Sequence, residues 1–252
     1  MVRGARFCIQ SGCDGKNLAL LGKTGMIAFQ SVSKIYNSHS AALEDVSFKV
    51  NPGEFVSFVG RSGAGKSTII KLLIGEERPT RGRIFFGDYE VNKLTDKELP
   101  TLRRHIGIVF QDFRLLAAKN AYENVAFALE VGGRREGEIN ELVPQVLDMV
   151  GLRDKMTNFP HELSGGEKQR LAIARAMVHR PEVIIADEPT GNLDPFHSWE
   201  IINLLQKINQ LGTTFILATH EKDIVNILDK RVVTLDKGRV IRDEEKGKYI
   251  LV

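Results

Sequence analysis

The hydrophobic residues of this chain fall into short apolar segments separated by polar turns. Between residues 27 and 59, three such segments are rich in β-branched and aromatic residues, which is typical of strands. Pro52 and Gly53 mark a turn between the second and third segments. The strands predicted for this region are 27–36, 43–50 and 54–59.

Farther along, predicted strands and amphipathic helices alternate, which favours a mainly parallel sheet with helices on both faces. One block differs, because Val125, Leu129, Leu142, Val146 and Val150 recur at helical spacing and predict consecutive helices. This block indicates an inserted helical subdomain. The predicted helices are 66–74, 96–104, the block 120–152, 165–179 and 198–209, and the predicted strands are 82–86, 106–110, 183–186, 214–218 and a closing hairpin of 231–235 and 239–242.

Composition is that of an ordinary globular protein, with 252 residues, of which 42% are hydrophobic and 27% charged. The formal net charge is +3, but residues 1–25 hold four basic residues and one acidic residue. The remaining chain is balanced at 31 basic and 31 acidic residues, so we expect no nucleic-acid partner. No apolar run approaches the ~20 residues that a membrane-spanning helix needs.

Residues 1–25 are rich in glycine and small polar residues and show no hydrophobic period. We expect a disordered leader, produced either by a mis-called start before Met26 or by a non-native extension. Cys8 and Cys13 lie in this leader and are interpreted as incidental thiols, because no further ligand accompanies them. The expected main domain is 26–243, followed by a C-terminal tail at 244–252.

A glycine-rich loop follows the predicted strand 54–59 and precedes the predicted helix 66–74. Gly60, Gly65, Lys66 and Ser67 have the Walker A spacing, in which backbone N–H groups surround phosphates, the lysine reaches the β and γ phosphates, and the serine binds Mg²⁺. The residues expected to bind the phosphates of ATP are Gly60, Arg61, Ser62, Gly63, Ala64, Gly65, Lys66, Ser67 and Thr68.

Two carboxylates follow the apolar strand 183–186. In a parallel sheet they lie at the carboxyl edge, beside the glycine loop. Asp187 suits a Mg²⁺ ligand, while Glu188 is placed to orient or deprotonate the attacking water. Taken alone, such a pair is more typical of a charge at a helix N-terminus, and the Walker A context favours catalysis instead.

Two further polar residues also follow predicted strands. His220 follows the strand of 214–219 and can reach the γ-phosphate, although a single histidine at a strand end is usually structural. Gln111 follows the strand 106–110, and its amide can ligate Mg²⁺ or position water. Neither residue indicates a function without its companions.

A second phosphate receptor occurs nearly a hundred residues after the first. Ser164, Gly165 and Gly166 open the predicted helix 165–179 and offer a hydroxyl, backbone N–H groups and the positive end of a helix dipole. Two phosphate receptors so far apart in one chain raise the question of how both can serve one nucleotide.

In combination these motifs resemble those of the ATP-binding cassette (ABC) ATPases. The resemblance covers residues 26 to about 243, and the motifs occur in the order typical of that family. They are the A-loop aromatic Tyr36, Walker A at 60–67, the Q-loop Gln111, the LSGGE signature at 163–167, Walker B at 183–188, the D-loop residue Asp194 and the H-loop residue His220.

The resemblance implies the α/β fold of a P-loop NTPase: an ABC nucleotide-binding domain with a mainly parallel core sheet, an antiparallel β subdomain and an inserted α-helical subdomain at about 112–180. It implies an ATP-bound homodimer, in which Walker A of one subunit and Ser164, Gly165 and Gly166 of the other enclose one ATP. Tyr36 would stack on adenine, and Asp194 would act across the interface. Hydrolysis of ATP with Mg²⁺ is expected.

Residues 109–116 and 122–129 resemble more narrowly the bacterial cell-division ATPases of the FtsE type. That resemblance implies a polytopic membrane subunit of the FtsX type, a position on the cytoplasmic face of the inner membrane, and ATP-driven signalling to cell-wall hydrolases. We expect Phe113, Leu115 and Leu116 at the docking edge, with the core of the helical subdomain as the alternative.

Other functions remain open at this point. An ATPase subunit for lipoprotein release, macrolide export or solute transport would use the same chemistry, so only its partner or substrate would distinguish it. A soluble ABC ATPase acting on DNA or ribosomes is disfavoured, because the chain lacks a second Walker A motif and sustained heptads. Glu188 argues against an ATP-gated scaffold with negligible hydrolysis.

Overall fold

The computed structural model describes residues 25–37 and 40–249. The predicted leader, apart from Gly25, lies outside the described residues, as do Cys8, Cys13 and the last three residues of the predicted tail. In chain order the strands are β1 (Ile27–Asn37), β2 (Ser40–Val50), β3 (Phe55–Val59), β4 (Arg81–Phe86), β5 (Tyr89–Glu90), β6 (Ile106–Val109), β7 (Val183–Asp187), β8 (Thr214–Thr219), β9 (Arg231–Asp236) and β10 (Arg239–Glu244).

Helices surround these strands and make up most of the segment between β6 and β7. The α-helices are α1 (Lys66–Leu73), α2 (Leu99–Arg104), α3 (Ala121–Val131), α4 (Glu136–Met149), α5 (Gly165–Met177), α6 (Pro195–Gln210) and α7 (Lys222–Leu228). Short 3₁₀ turns occupy Val91–Lys93, Arg153–Lys155 and Pro160–Glu162. Within the described part of the chain, no helix has the length and apolarity needed to cross a membrane.

A six-stranded sheet in the order β10-β9-β3-β8-β7-β6 forms the centre of the fold. Its neighbours from β9 to β6 are parallel, and β10 pairs antiparallel with β9. A second sheet, in the order β2-β1-β4-β5, is antiparallel throughout. The predicted α/β fold with a mainly parallel core sheet and an antiparallel β region is confirmed.

Alternate side chains of the central sheet enter two different cores. Val56 and Phe58 of β3 face a core that α1 and the antiparallel sheet complete, whereas Phe55 faces a core shared with α5 and α6. Helices α3, α4 and α5 enclose a third core, which includes Val125, Val143 and other aliphatic residues. The central sheet is therefore covered on both faces, as parallel sheets require.

Most predicted elements are present, with ends that differ by one to three residues. The predicted helical block at 120–152 consists of two helices, because Gly132 and Gly133 form the turn between α3 and α4. Strand β5 and helix α7 were not predicted. Strand β5 has only two residues, and α7 has only seven, both too short for a periodic pattern to reveal.

Asn124, on α3, organises the loop that connects β6 to the helical region. Its side chain is fully buried, accepts from the N–H of Leu116 at 2.8 Å, and donates to the carbonyls of Leu116, Lys119 and Asn120 at 3.1, 2.8 and 3.0 Å. The amide therefore replaces backbone partners that an irregular loop cannot supply.

We predict that Asn124→Ala lowers the free energy of unfolding by about 2 kcal/mol, because it leaves partly buried backbone groups of this loop unpaired and empties a fully buried position. Urea denaturation measures the change. Asn140→Ala is the matched control, since Asn140 is exposed and accepts one hydrogen bond from the Tyr122 hydroxyl. Equal small losses in the two variants would contradict this role of Asn124.

Candidate functional site

The glycine loop between β3 and α1 has a backbone that two glycines make possible. Gly60 has φ 155°, and a Cβ there would lie 2.4 Å from the carbonyl oxygen of Leu235. Gly65 has φ 109°, and a Cβ there would lie 2.8 Å from the carbonyl oxygen of Ala42. Any side chain at either position would force the loop away from β9 or β2.

Lys66 is the first residue of α1 and is buried, with 8% of its surface exposed. Its ammonium donates to the carbonyl of Gly60 at 2.8 Å and to that of Arg61 at 3.4 Å. The Glu188 carboxylate lies 3.7 Å away. The glycine loop thus surrounds the Lys66 ammonium, which the two carbonyls and the Glu188 carboxylate hold in place.

A cavity of about 690 Å³ opens over this loop. Its wall brings together residues from the ends of several strands and from the loop itself. The lining residues are Ala42, Arg61, Ser62, Gly63, Gly65, Lys66, Ser67, Thr68, Gln111, Glu188, His220, Lys222 and Tyr249. Gln111, Glu188 and His220, far apart in the sequence, therefore share one cavity with most of the Walker A residues, although Gly60 and Ala64 do not line it.

Asp187 contacts the cavity residue Ser67 but does not itself line the cavity wall. The Ser67 hydroxyl is 3.4 Å from Oδ2 of Asp187. Burial raises the pKa of Asp187, and the adjacent Glu188 carboxylate raises it further, while Ser67 and Lys66 oppose the shift. A hydroxyl and a carboxylate in contact are oxygen ligands of the kind Mg²⁺ prefers, and a cation would relieve the charge repulsion at Asp187.

Glu188 has an unusual backbone, and its side chain lies beside Lys66 and His220. Its φ is +48°, its N–H donates to the carbonyl of Ala218 at 2.8 Å, and its side chain is mostly buried. Oε2 lies 2.9 Å from Nδ1 of His220 and also accepts from the His220 N–H at 3.3 Å. This left-handed backbone turns the carboxylate toward Lys66 and His220 rather than onward into solvent.

The carboxylate of Glu221 stabilises the turn that contains His220. The Thr190 hydroxyl donates a short hydrogen bond to the Glu221 carboxylate, and the Glu221 N–H donates to the Thr219 hydroxyl at 3.0 Å. Thr190 follows the Walker B acids by two residues. The contact therefore ties the segment after β7 to the segment after β8.

Gln111 follows β6 and is packed against the segment that leads to the D-loop. A Cβ added to Gly191 would lie 2.7 Å from its Nε2, and the Asn192 amide donates to the Gln111 carbonyl at 2.8 Å. The Q-loop glutamine thus touches both the cavity and the residues that precede Asp194.

Ser164 is the N-cap of α5 and forms a capping box with Glu167. The Ser164 Oγ accepts from the Glu167 N–H at 3.3 Å, and Glu167 Oε2 accepts from the Ser164 N–H at 2.9 Å. Lys155 forms a further short hydrogen bond to Glu167. Since Ser164 Oγ is an acceptor here, its own O–H remains able to donate to an anion.

Asp194 is the N-cap of α6, where Oδ1 accepts from the His197 N–H at 3.0 Å. The His197 ring contacts Oδ2 of the same carboxylate at 2.5 Å. It also packs against the signature, because a Cβ added to Gly166 would lie 2.8 Å from Cδ2 of His197. D-loop and signature are therefore in contact within one subunit.

Some of the expected site residues do not line the cavity. Tyr36 is 50% exposed on β1, with the Lys34 ammonium 4.9 Å above its ring, and is not among the described residues that line the cavity, whereas Ala42 of the neighbouring β2 is. Ser164, Gly165, Gly166 and Asp194 also lie outside its wall. Within one subunit the two predicted phosphate receptors are thus separate.

The family model described as ABC transporter matches residues 43–191. The cell division ATP-binding protein FtsE of Streptococcus pneumoniae is 52% identical over 224 residues, which are 89% of this chain and 97% of that protein. This chain belongs to the ABC transporter family.

Two further comparisons agree with this ABC assignment. The cell division ATP-binding protein FtsE of Mycobacterium tuberculosis is 53% identical over 225 residues, covering 89% of this chain and 98% of that protein. A dimeric, post-hydrolysis structure of the ATP-binding cassette MJ0796, bound to ADP and Pi, has a TM-score of 0.79 and 34% identity, covering 89% of this chain and all of that chain.

Several residues of this ABC domain that support the site were not recognised in the sequence. Arg175 on α5 donates to the carbonyls of Arg114 and Phe113 at 2.6 and 3.0 Å and so holds the segment after Gln111. Glu221, Lys155 and Tyr249 were also missed. No local pattern marks any of them, because each acts on a residue that is distant in the sequence or in a different motif.

Glu167 provides a pH test of the signature. Its hydrogen bond with Lys155, followed by that with the Ser164 backbone, lowers the pKa of Glu167 from 4.5 to about 2. Because the folded-state pKa is depressed, ionised Glu167 stabilises the fold above pH 4.5, and this contribution is lost as the pH falls toward 2.

We predict that Glu167→Gln, which can retain the cap, has a lower free energy of unfolding than the wild type at pH 7, and that the difference shrinks below pH 4.5. Urea denaturation at several pH values measures the difference. Glu162→Gln, at the exposed cap of a 3₁₀ turn, is the control. A difference for Glu167→Gln that does not vary with pH would count against the Lys155 pair.

Proposed function

We propose that this chain is the ATP-hydrolysing subunit of a bacterial cell-division complex, in which ATP-driven closure of a homodimer acts on an FtsX-type membrane subunit. The observation that carries the enzymatic part is the position of Glu188, between Lys66 and His220 in the cavity over the glycine loop. The cell-division part rests on similarity to proteins named FtsE.

The cavity suits the triphosphate of a nucleotide. The backbone of residues 60–65 and the N-terminus of α1 present N–H groups. Lys66 adds a positive charge, and the Gly60 and Arg61 carbonyls orient its ammonium by accepting hydrogen bonds from it. Replacement of those carbonyls by phosphate oxygens would satisfy the ammonium more strongly, because charged acceptors form the stronger hydrogen bonds.

Glu188 is the group best placed to act on water. Its carboxylate can accept a proton from a water molecule in the cavity, and His220, hydrogen-bonded to the same carboxylate, holds its orientation. Ser67 and Asp187, with Gln111, would hold Mg²⁺, which would neutralise charge on the phosphate oxygens. Tyr36 is proposed to contact the base from the rim beside Ala42.

A homodimer accounts for the separation of the two phosphate receptors. Ser164, Gly165 and Gly166 open a 13-residue helix and present the Ser164 O–H outside their own cavity. We assign their ligand to the cavity of a second copy, with Asp194 acting across the same interface. The similar ATP-binding cassette MJ0796 has been solved as a dimer with ADP and Pi, which supports this arrangement.

A groove beside the Q-loop is the proposed docking site of the membrane subunit. It has a volume of about 480 Å³ and combines apolar residues with basic ones, which suits an amphipathic helix that carries acidic residues. Of the three residues expected at the docking edge, Leu116 lines the groove, Leu115 packs against the helical core, and Phe113 belongs to neither set. Other lining residues include Phe110, Phe127, Val131, Arg103, Arg104 and Arg175.

We predict that Glu188→Gln retains ATP binding and slows turnover by about 10²-fold or more, because the amide cannot accept the proton from water. Lys66→Ala should instead weaken ATP binding. Phosphate release and binding of a fluorescent ATP analogue measure the two effects separately. Glu182→Gln is the control, since Glu182 pairs with His105 on the surface and does not line the cavity. Unchanged turnover in Glu188→Gln would refute its catalytic role.

We predict that Phe127→Ala reduces recovery of an FtsX-type subunit from native membranes several-fold, because Phe127 is 40% exposed in the groove. The bait carries Glu188→Gln and is loaded with ATP. Leu211→Ala, which removes an apolar side chain 64% exposed at the end of α6, is the control. Reproducible recovery of only a lipoprotein or solute permease would overturn the cell-division assignment.

A further inference from the structure

The chain after β10 turns back across the molecule toward the nucleotide cavity. We call residues 245–249 the C-terminal segment. Within it the Gly247 N–H donates to the Lys230 carbonyl at 3.2 Å, and the Tyr249 N–H donates to Oδ1 of Asn226, on α7, at 2.8 Å. One hydrogen bond to the turn before β9 and one to α7 thus set the path of the segment.

Close packing fixes the same path. A Cβ added to Gly247 would lie 2.5 Å from Cβ of Val232, so the backbone of the segment lies directly on β9. Lys246 and Asp229 form a further ion pair at 3.8 Å, but both side chains are largely exposed and the pair contributes little.

Tyr249 is the buried end of this segment. Only 5% of its surface is exposed, and its ring belongs to a small apolar cluster with Val59, Val225 and Val232. Val59 is the last residue of β3 and immediately precedes Gly60. The cluster that contains the ring therefore extends to the point where β3 becomes the phosphate-binding loop.

Tyr249 also faces the cavity that the loop surrounds. It lines the same wall as Arg61, Lys66, Glu188 and His220. Burial raises the pKa of the Tyr249 phenol, and the charge of Glu188 raises it further, while that of Arg61 lowers it. Tyr249 thus shares one cavity wall with the charged residues Arg61 and Glu188.

We propose that Tyr249 is a further positioning residue of the nucleotide site. Its ring supports the junction of β3 and the phosphate-binding loop and forms part of the cavity wall that also includes Arg61. The role is one of packing: the ring keeps the loop in the conformation that receives phosphates, and the hydroxyl is dispensable. This inference rests on the proposed function, since it assigns Tyr249 to the ATP site.

The test uses the full chain with Tyr249→Ala, Tyr249→Phe, Asn226→Ala and Lys246→Ala. We expect Tyr249→Ala to raise the KM and Kd for ATP about fivefold or more with little change in kcat, because it loosens the loop without touching Glu188. Tyr249→Phe should restore wild-type values. Asn226→Ala keeps the Tyr249 ring but removes the hydrogen bond that the Tyr249 N–H donates, so it should raise the KM by a smaller factor. Lys246→Ala, in the same segment but remote from the cavity, should match the wild type.

Circular dichroism and thermal melts establish that each variant is folded at the assay temperature. If Tyr249→Ala is not folded there, Asn226→Ala provides the readout. A KM within twofold of the wild type in folded Tyr249→Ala would overturn the proposal, as would the same result in Asn226→Ala where Tyr249→Ala is not folded, and so would a Tyr249→Phe variant as weak as Tyr249→Ala. Failure of the wild type to bind or hydrolyse ATP would instead refute the proposed function, which Lys66→Ala in the same assay distinguishes.

Discussion

Three parallel strands, β3, β7 and β8, end at one edge of the central sheet, and the charged centre of the nucleotide site depends on that edge. Val59 pairs with Thr219, and Asp187 pairs with Ala218, so the register itself brings the glycine loop, the Walker B acids and His220 to one level. Slippage in a fully buried parallel sheet would expose apolar side chains of two cores. The hydrophobic pattern of the strands therefore fixes the distances between Lys66, Glu188 and His220.

Electrostatics at this edge favour a bound polyanion and a cation together. Asp187 and Glu188 are adjacent, and their repulsion and burial disfavour two charges at the end of β7. Lys66 compensates on one side, and a divalent cation at Ser67 and Asp187 would compensate on the other. Phosphate groups would link these two cations. The sequence motifs are thus parts of one charge arrangement, in which binding of the phosphates would favour binding of the divalent cation, and the reverse.

Much of this arrangement was predictable from the sequence, and the residues explain why. Gly60, Lys66 and Ser67 lie within eight residues, and Asp187 directly follows an apolar strand, so local spacing was enough. The mainly parallel sheet was predictable, because strands and helices alternate. The roles of Arg175 and Glu221 were not predictable, because each side chain forms a hydrogen bond with a residue 31 or more positions away. Helix α7 and Tyr249 lie in segments too short or too irregular for any period to show.

Contacts between the segment after Gln111 and α5, the helix that begins at the signature, connect the groove beside the Q-loop with the nucleotide cavity. Gln111 lines the cavity, and its carbonyl is held by Asn192, two residues before Asp194. The next residues adopt left-handed backbone at Phe113 and Arg114, and Arg175 of α5 binds both of their carbonyls. Arg175 itself lines the groove. Because Arg175 lies on α5, a shift of α5 relative to the central sheet would strain these two hydrogen bonds beside the groove. Dimer closure around nucleotide and docking of a membrane partner would therefore act on the same few hydrogen bonds.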